Sequence, residues 1–161
     1  VQHVDPEFVD SMASWLDGQT PLRVRLARAG DRLRRGEVLI AGSDEHLAMA
    51  ADGRLRYTSE PAECAYRPSV DVFFESAARF WRQPVIGVLL TGMGRDGAAG
   101  LLALRRRGMA TIAQSRESCA VYGMPKAAVD LGAASQVLPL DEIAAALAGL
   151  GGEGPTHRAS R

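Results

Sequence analysis

Apolar positions along the chain alternate between a period near 3.6 and a period of two, and glycines, prolines and aspartates mark the changes. Asp5 followed by Pro6 supplies a cap and a first helical position. Phe8, Val9, Met12, Trp15 and Leu16 then recur at helical spacing as far as Gly18. Leu22 to Ala27 alternates apolar and charged residues, as a half-buried strand does, and Glu37 to Ala41 predicts a second short strand. His46 to Ala50 and Arg54 to Thr58 flank Asp52-Gly53, a strong hairpin signal. After Arg67-Pro68-Ser69 the spacing predicts a helix with Val70, Phe73, Phe74, Ala77, Phe80 and Trp81 on its inner side.

The second half repeats a simpler rhythm. The apolar run Val85-Ile86-Gly87-Val88-Leu89-Leu90 reads as a buried strand, and a glycine-rich turn leads from it into a helix at Leu101-Leu102-Ala103-Leu104. That helix closes on Arg105-Arg106-Arg107-Gly108, where cations and then glycine suit a C-terminus. A strand over Ala110 to Gln114, a helix opened by Pro125 and reaching Leu131, a strand over Gln136 to Leu138 and a helix from Asp141 to Leu150 follow. This alternation predicts an α/β fold: a doubly wound, mainly parallel sheet with helices on both faces and an inserted antiparallel β-hairpin. Residues 1–150 make the expected folded domain, and Gly151 to Arg161, polar and glycine-bearing, an expected disordered tail.

Composition narrows the partners. In 161 residues, 47% hydrophobic, the 19 basic and 19 acidic side chains cancel. No global field therefore favours nucleic acid or an anionic membrane. No apolar run approaches a membrane span, and no signal-peptide pattern is present. Cys64 and Cys119 have neither metal-ligand spacing nor the makings of a disulfide framework, so a reduced, cytoplasmic setting is expected.

The densest chemistry lies at the strand-to-helix turn Thr91-Gly92-Met93-Gly94-Arg95-Asp96-Gly97, the kind of sheet edge where open α/β folds place ligands and catalytic groups. Two readings compete. Gly92, Gly94 and Gly97 fit G-x-G-x-x-G, the spacing of a phosphate cradle. Alternatively the glycines present Asp96 as the acid of a catalytic triad. A carboxylate at the helix N-terminus occupies the field that a phosphate would need and repels it. The fingerprint's distal acidic partner also fits poorly, because Glu117 lies beyond the strand ending near Gln114 and beside Arg116. By themselves, Asp96 reads equally as a turn or N-cap residue, His3 as a surface histidine, His46 as packing and Met93, Met109 and Met124 as core filling. His157 carries no signal, and Arg105, Arg106 and Arg107 read as satisfying a helix end, with receptor contact a lesser alternative.

Four segments in order carry a family resemblance: Val1-Gln2-His3, Arg67-Pro68-Ser69-Val70-Asp71, Leu90-Thr91-Gly92-Met93-Gly94-Arg95-Asp96-Gly97-Ala98 and Tyr122-Gly123-Met124-Pro125. Over residues 1 to 148 the chain resembles the catalytic domain of CheB-type protein-glutamate methylesterases of bacterial chemotaxis-like signalling. Gln2-His3-Val4-Asp5 and Phe73-Phe74-Glu75-Ser76 are most similar to the methylesterase of Wsp-type surface-sensing systems. The resemblance implies hydrolysis of glutamate methyl esters on the cytoplasmic helices of chemoreceptors, under a phospho-receiver domain. It implies neither cofactor nor metal. It makes His3 the base, Asp96 the triad acid and the backbone around Met93 the oxyanion region.

One part of the pattern is absent. The family's serine nucleophile lies upstream of the histidine in a motif of the form G-A-S-x-G-G, and none of the ten serines here sits in a G-x-S-x-G elbow. The 161 residues are therefore expected to be an N-terminally truncated domain without esterase activity of its own. A catalytically dead receptor-binding protein and a nucleotide-binding module using Gly92, Gly94 and Gly97 are the alternatives.

Overall fold

The computed structural model of the chain describes residues 1–152. Two compact units divide it, Val1–Gln83 and the residues from Pro84 onward. The first holds α1 (Pro6–Asp17), β1 (Arg23–Leu26), β2 (Glu37–Ile40), β3 (His46–Met49), β4 (Leu55–Thr58) and α2 (Val70–Phe80). The second holds β5 (Ile86–Leu89), α3 (Ala98–Arg106), β6 (Ala110–Gln114), a 3-10 turn at Arg116–Ser118, α4 (Met124–Asp130), β7 (Gln136–Leu138) and α5 (Leu140–Gly152). The fold is α/β: β1 pairs parallel with β2, β5, β6 and β7 form a parallel ladder in that order, and β3 and β4 make the antiparallel hairpin.

In the first unit the Asp5 carboxylate caps α1 by accepting the Glu7 N–H at 3.0 Å, with Pro6 at the first helical position. Val9 and Ala13 bury against Val24 and Ile40, with Met12 and Leu16 beside them. Phe8 and Trp15 belong to the same helical period yet are 61% and 64% exposed. Apolar spacing locates the helix, but only the stripe facing β1 and β2 is covered. A second core gathers Ala27, Ala41, Leu47, Met49 and Leu55, against which Phe73, Phe80 and Trp81 of the α2 region pack. The Ser69 hydroxyl caps α2 by accepting the Val72 N–H.

The hairpin forms where Asp52-Gly53 predicts it. Gly53 donates to the Ala50 carbonyl and alone at the tip takes a left-handed conformation, φ +77°, while no non-glycine residue among those described has positive φ. A turn closed by one left-handed glycine is the pattern of a three-residue hairpin loop, with Ala51 and Asp52 at the centre of the turn. The connection from β1 to β2 is also unusual. Parallel strands commonly cross over through a helix, but residues 27–36 make the return as a loop. Gly30 N–H bonds the Leu55 carbonyl and Leu55 N–H the Asp31 carbonyl, which fixes that loop to the hairpin.

In the second unit the core is built from Leu89, Leu101, Leu104, Ile112, Ala113 and Ala128, none more than 2% exposed. Gly87 lets α3 approach β5 closely: a Cβ there would lie 2.7 Å from Leu101 Cδ1 and 2.8 Å from Leu104 Cδ1. The last helix begins at Leu140 and continues through Gly152, so the expected disordered tail does not start at Gly151. Leu147 and Leu150 continue the apolar period into the glycines, and glycine weakens a helix by only about 1 kcal/mol. The rest of that tail, residues 153–161, lies outside the described residues.

Candidate active site

The turn leaving β5 is held by its backbone. Gly94 and Gly97 take left-handed conformations, φ +86° and +90°, which other residues adopt only with strain. Gly97, not Asp96, is the N-cap residue of α3, so the simple N-cap reading of Asp96 does not apply. Asp96, at 7% exposure, is buried directly before it.

A second loop is laced onto this one. Gly92 N–H donates to the Val121 carbonyl, and the Gly92 carbonyl accepts from both Gly123 N–H and Met124 N–H, at 3.1 and 2.8 Å. The Thr91 hydroxyl bonds both backbone groups of Val121. Contact is so close that a Cβ on Gly123 would stand 2.6 Å from the Gly92 carbonyl oxygen. Tyr122-Gly123-Met124-Pro125 and the Gly92 turn thus form one layer, and glycine is required at 123 because backbone fills the space a side chain would take. Beside it, the Arg116 guanidinium lies over the Tyr122 ring.

Beneath both loops lies Gln114, the last residue of β6 and 1% exposed. Its Oε1 accepts the Thr91 N–H at 2.7 Å, and its Nε2 donates to the Ser118 carbonyl at 2.7 Å. Sequence reasoning passed over Gln114 and Thr91. The available signal was a polar amide closing an otherwise buried strand, a position that must find partners. Met93, at the tip, is 77% exposed, so its side chain is not core filling. Met124 is buried and does fill the core, its thioether occupying the space beside Gly92.

His3 belongs to the first unit. It is half-buried, and its ring stacks on Tyr66 with centroids 4.7 Å apart and planes 10° apart. His46 is wholly buried and structural: Nδ1 accepts the Ser69 N–H and Nε2 faces the Pro61 carbonyl at 3.2 Å. These partners assign the neutral Nε2–H tautomer and tie β3 to the start of α2. Arg105 donates to the carbonyls of Gly132 and Ala134, reaching across to the link between α4 and β7. Burial pushes the Cys119 thiol above its usual range, which keeps it protonated near neutrality. Among the described residues, no group of three or more His, Cys, Asp or Glu could hold a metal ion, and no helix is long and apolar enough to cross a membrane.

The buried Asp96 carboxylate and the glycine turn between β5 and α3 stand where open α/β folds hold ligands and catalytic groups. Residues 1–147 match the family model described as CheB methylesterase, and the chain belongs to that family. It is 61% identical over 150 residues to a protein-glutamate methylesterase/protein-glutamine glutaminase of Burkholderia lata, covering 93% of this chain and 45% of that protein. A protein of the same name from Pseudomonas aeruginosa is 55% identical over 148 residues, 92% of this chain and 44% of that protein. The chain thus spans under half the length of these curated relatives. The crystal structure of the Thermotoga maritima CheB methylesterase catalytic domain superposes with a TM-score of 0.86 at 36% identity, covering 92% of this chain and 80% of that one.

Proposed function

We propose that this domain carries the base and the acid of a serine acyl transferase that hydrolyses methyl esters of protein glutamate, with His3 and Asp96 in those roles. The observation that carries the reading is Asp96 itself: a carboxylate buried on a turn that two left-handed glycines and a facing loop fix in place, within the segment that matches the family motif. A buried carboxylate of this kind sets a histidine's tautomer and stabilises its cation. A nucleotide phosphate would meet that carboxylate at the N-terminus of α3, which disfavours the cradle reading.

The chemistry runs as follows. A serine hydroxyl attacks the ester carbonyl while His3 takes its proton. Backbone N–H groups around Met93 stabilise the oxyanion, and collapse expels methanol as His3 returns the proton. Water, activated by His3, then cleaves the acyl-serine and leaves a free carboxylate. With a glutamine amide, the second activity named for the relatives, the same steps release ammonia. The residues held here require neither metal nor cofactor for these steps. The substrate is a methylated cytoplasmic helix of a bacterial chemoreceptor, with a phospho-receiver domain as regulator and the cytoplasm as the setting.

The serine is supplied from the segment that precedes His3 in the family pattern. Methanol release is to be assayed on methylated receptor, with the 161-residue chain and with a version extended upstream through the serine motif. The extended form is expected to be active and the chain alone at background; equal activity would mean that the nucleophile lies elsewhere.

A further inference from the structure

The first unit carries a strongly basic surface of its own. A cleft of about 450 Å³ is lined by Arg23, Arg25, Arg28, Arg32, Arg34 and Arg54. Against these six guanidinium groups it offers two carboxylates, Asp31 and Glu37, and Arg54 also pairs with Asp52 at 3.5 Å, leaving a formal excess of three positive charges in a chain whose total is zero. Both carboxylates are already engaged. Arg25 donates to Asp31 at 2.6 Å and to Glu37 at 3.4 Å, and Asp31 also accepts the Arg28 N–H. Hydrogen bonding to Arg25 holds the Asp31 carboxyl below its usual range, so it stays ionised in this role.

The scaffold of the cleft is built rather than incidental. Arg28, Arg32 and Arg34 all lie on the helix-free return between β1 and β2, and that return is bonded to the hairpin at Gly30, Asp31 and Leu55. The Arg54 guanidinium donates to the Gly30 carbonyl, closing the far side. Crowding like charges costs stability unless an anion comes between them. Arginine's planar fork is the side chain best suited to receive carboxylates two-pronged. No aromatic residue lines the cleft, so it lacks the stacking platform that single-stranded nucleic acid uses.

We propose that this arginine cleft docks an acidic, glutamate-bearing segment of the protein substrate. Its occupant rests on the functional reading above: a protein worked on at glutamate gains a free carboxylate with every turnover, so flanking substrate is acidic and becomes more so. The cleft therefore acts as an exosite, contributing binding and no chemistry.

Fluorescence anisotropy with a labelled oligoglutamate peptide tests this on the 161-residue chain. Saturable binding that weakens with salt is expected, and Arg32→Glu with Arg34→Glu should raise Kd at least about tenfold. Arg106→Glu with Arg107→Glu, an equal charge change on the second unit, should leave Kd within about twofold. Should the first pair fail to fold, Arg32→Gln with Arg34→Gln is expected to weaken binding in the same direction. No saturable binding, equal losses from both charge-reversed pairs, or displacement of the peptide by single-stranded DNA at lower concentration would each overturn the proposal. Ester hydrolysis by the extended protein without peptide binding sinks this inference alone. Peptide binding without hydrolysis sinks the functional reading alone.

Discussion

Asp96 and His3 are assigned partners in one reaction, yet the chain holds them by opposite means. Asp96 stands on a turn that its own backbone fixes, through left-handed glycines at 94 and 97 and hydrogen bonds from Gly92 to Val121, Gly123 and Met124. His3 precedes the first helix and rests its ring on Tyr66. Asp96 is positioned by close backbone packing, which local sequence encodes. His3 is positioned by a side-chain contact between residues far apart in the chain, which only the fold supplies.

The comparison breaks most sharply at Gly123. A side chain there meets the Gly92 carbonyl oxygen at 2.6 Å, so Gly123→Val should force the two loops apart. In a serine-bearing extended protein, kcat is expected to fall about a hundredfold, since misplacing a catalytic group by about 1 Å costs that much. Stability should fall by about 1–3 kcal/mol, as overpacking does. Kinetics and chemical denaturation of the same sample check both.

Gln114→Leu probes the same loops from below. It strands the Thr91 N–H and the Ser118 carbonyl, and such buried orphans cost about 1–3 kcal/mol each. The expected loss is in kcat with KM little changed, because Gln114 is buried beneath the loops; a rise in KM alone would contradict its place beneath the proposed catalytic turn.

On the histidine side, Tyr66→Leu removes the stack on His3, whose value is about 0.5–1.5 kcal/mol. Activity should drop about tenfold, the equivalent of about 1.4 kcal/mol. Tyr66→Phe should restore it. If Tyr66→Leu has no effect, the ring contact does not place the base.

The smallest effect serves as a control at a residue to which the proposal gives no catalytic role. Asp31 has a lowered folded-state pKa, first through its hydrogen bond from Arg25 and then through the Arg28 N–H. A depressed carboxylate stabilises the fold above its unfolded pKa, and that stability is lost as pH falls through the folded value. Stability should therefore decline below the ordinary carboxylate range. Asp31→Asn should flatten the decline while changing stability near neutrality by no more than about 1 kcal/mol, as expected of a pair open to solvent.

Legibility followed the same division. The β5-to-α3 turn, the hairpin, the cap at Asp5 and the strand Ala110–Gln114 were readable because each rests on local rules of period, capping and glycine conformation. Gln114 and Thr91 were not, because a polar side chain beneath a loop gains its meaning from partners brought in by β6 and the 3-10 turn. Phe8 and Trp15 show the converse: helical spacing was right, but which stripe of a helix is covered depends on the width of what packs against it. The arginine cleft hid in a neutral net charge, since a chain-wide sum cannot reveal how charges are sorted in space.

The central claim is that Asp96 is the triad acid that orients His3. The most direct test is the rate of methanol release by the serine-bearing extended protein with Asp96→Asn, compared with its unmodified form, at matched thermal stability. A fall in kcat approaching about ten-thousandfold with an unchanged Tm is the predicted result, as for carboxylates that fix a catalytic histidine's tautomer. Turnover within about tenfold of the unmodified protein would contradict it.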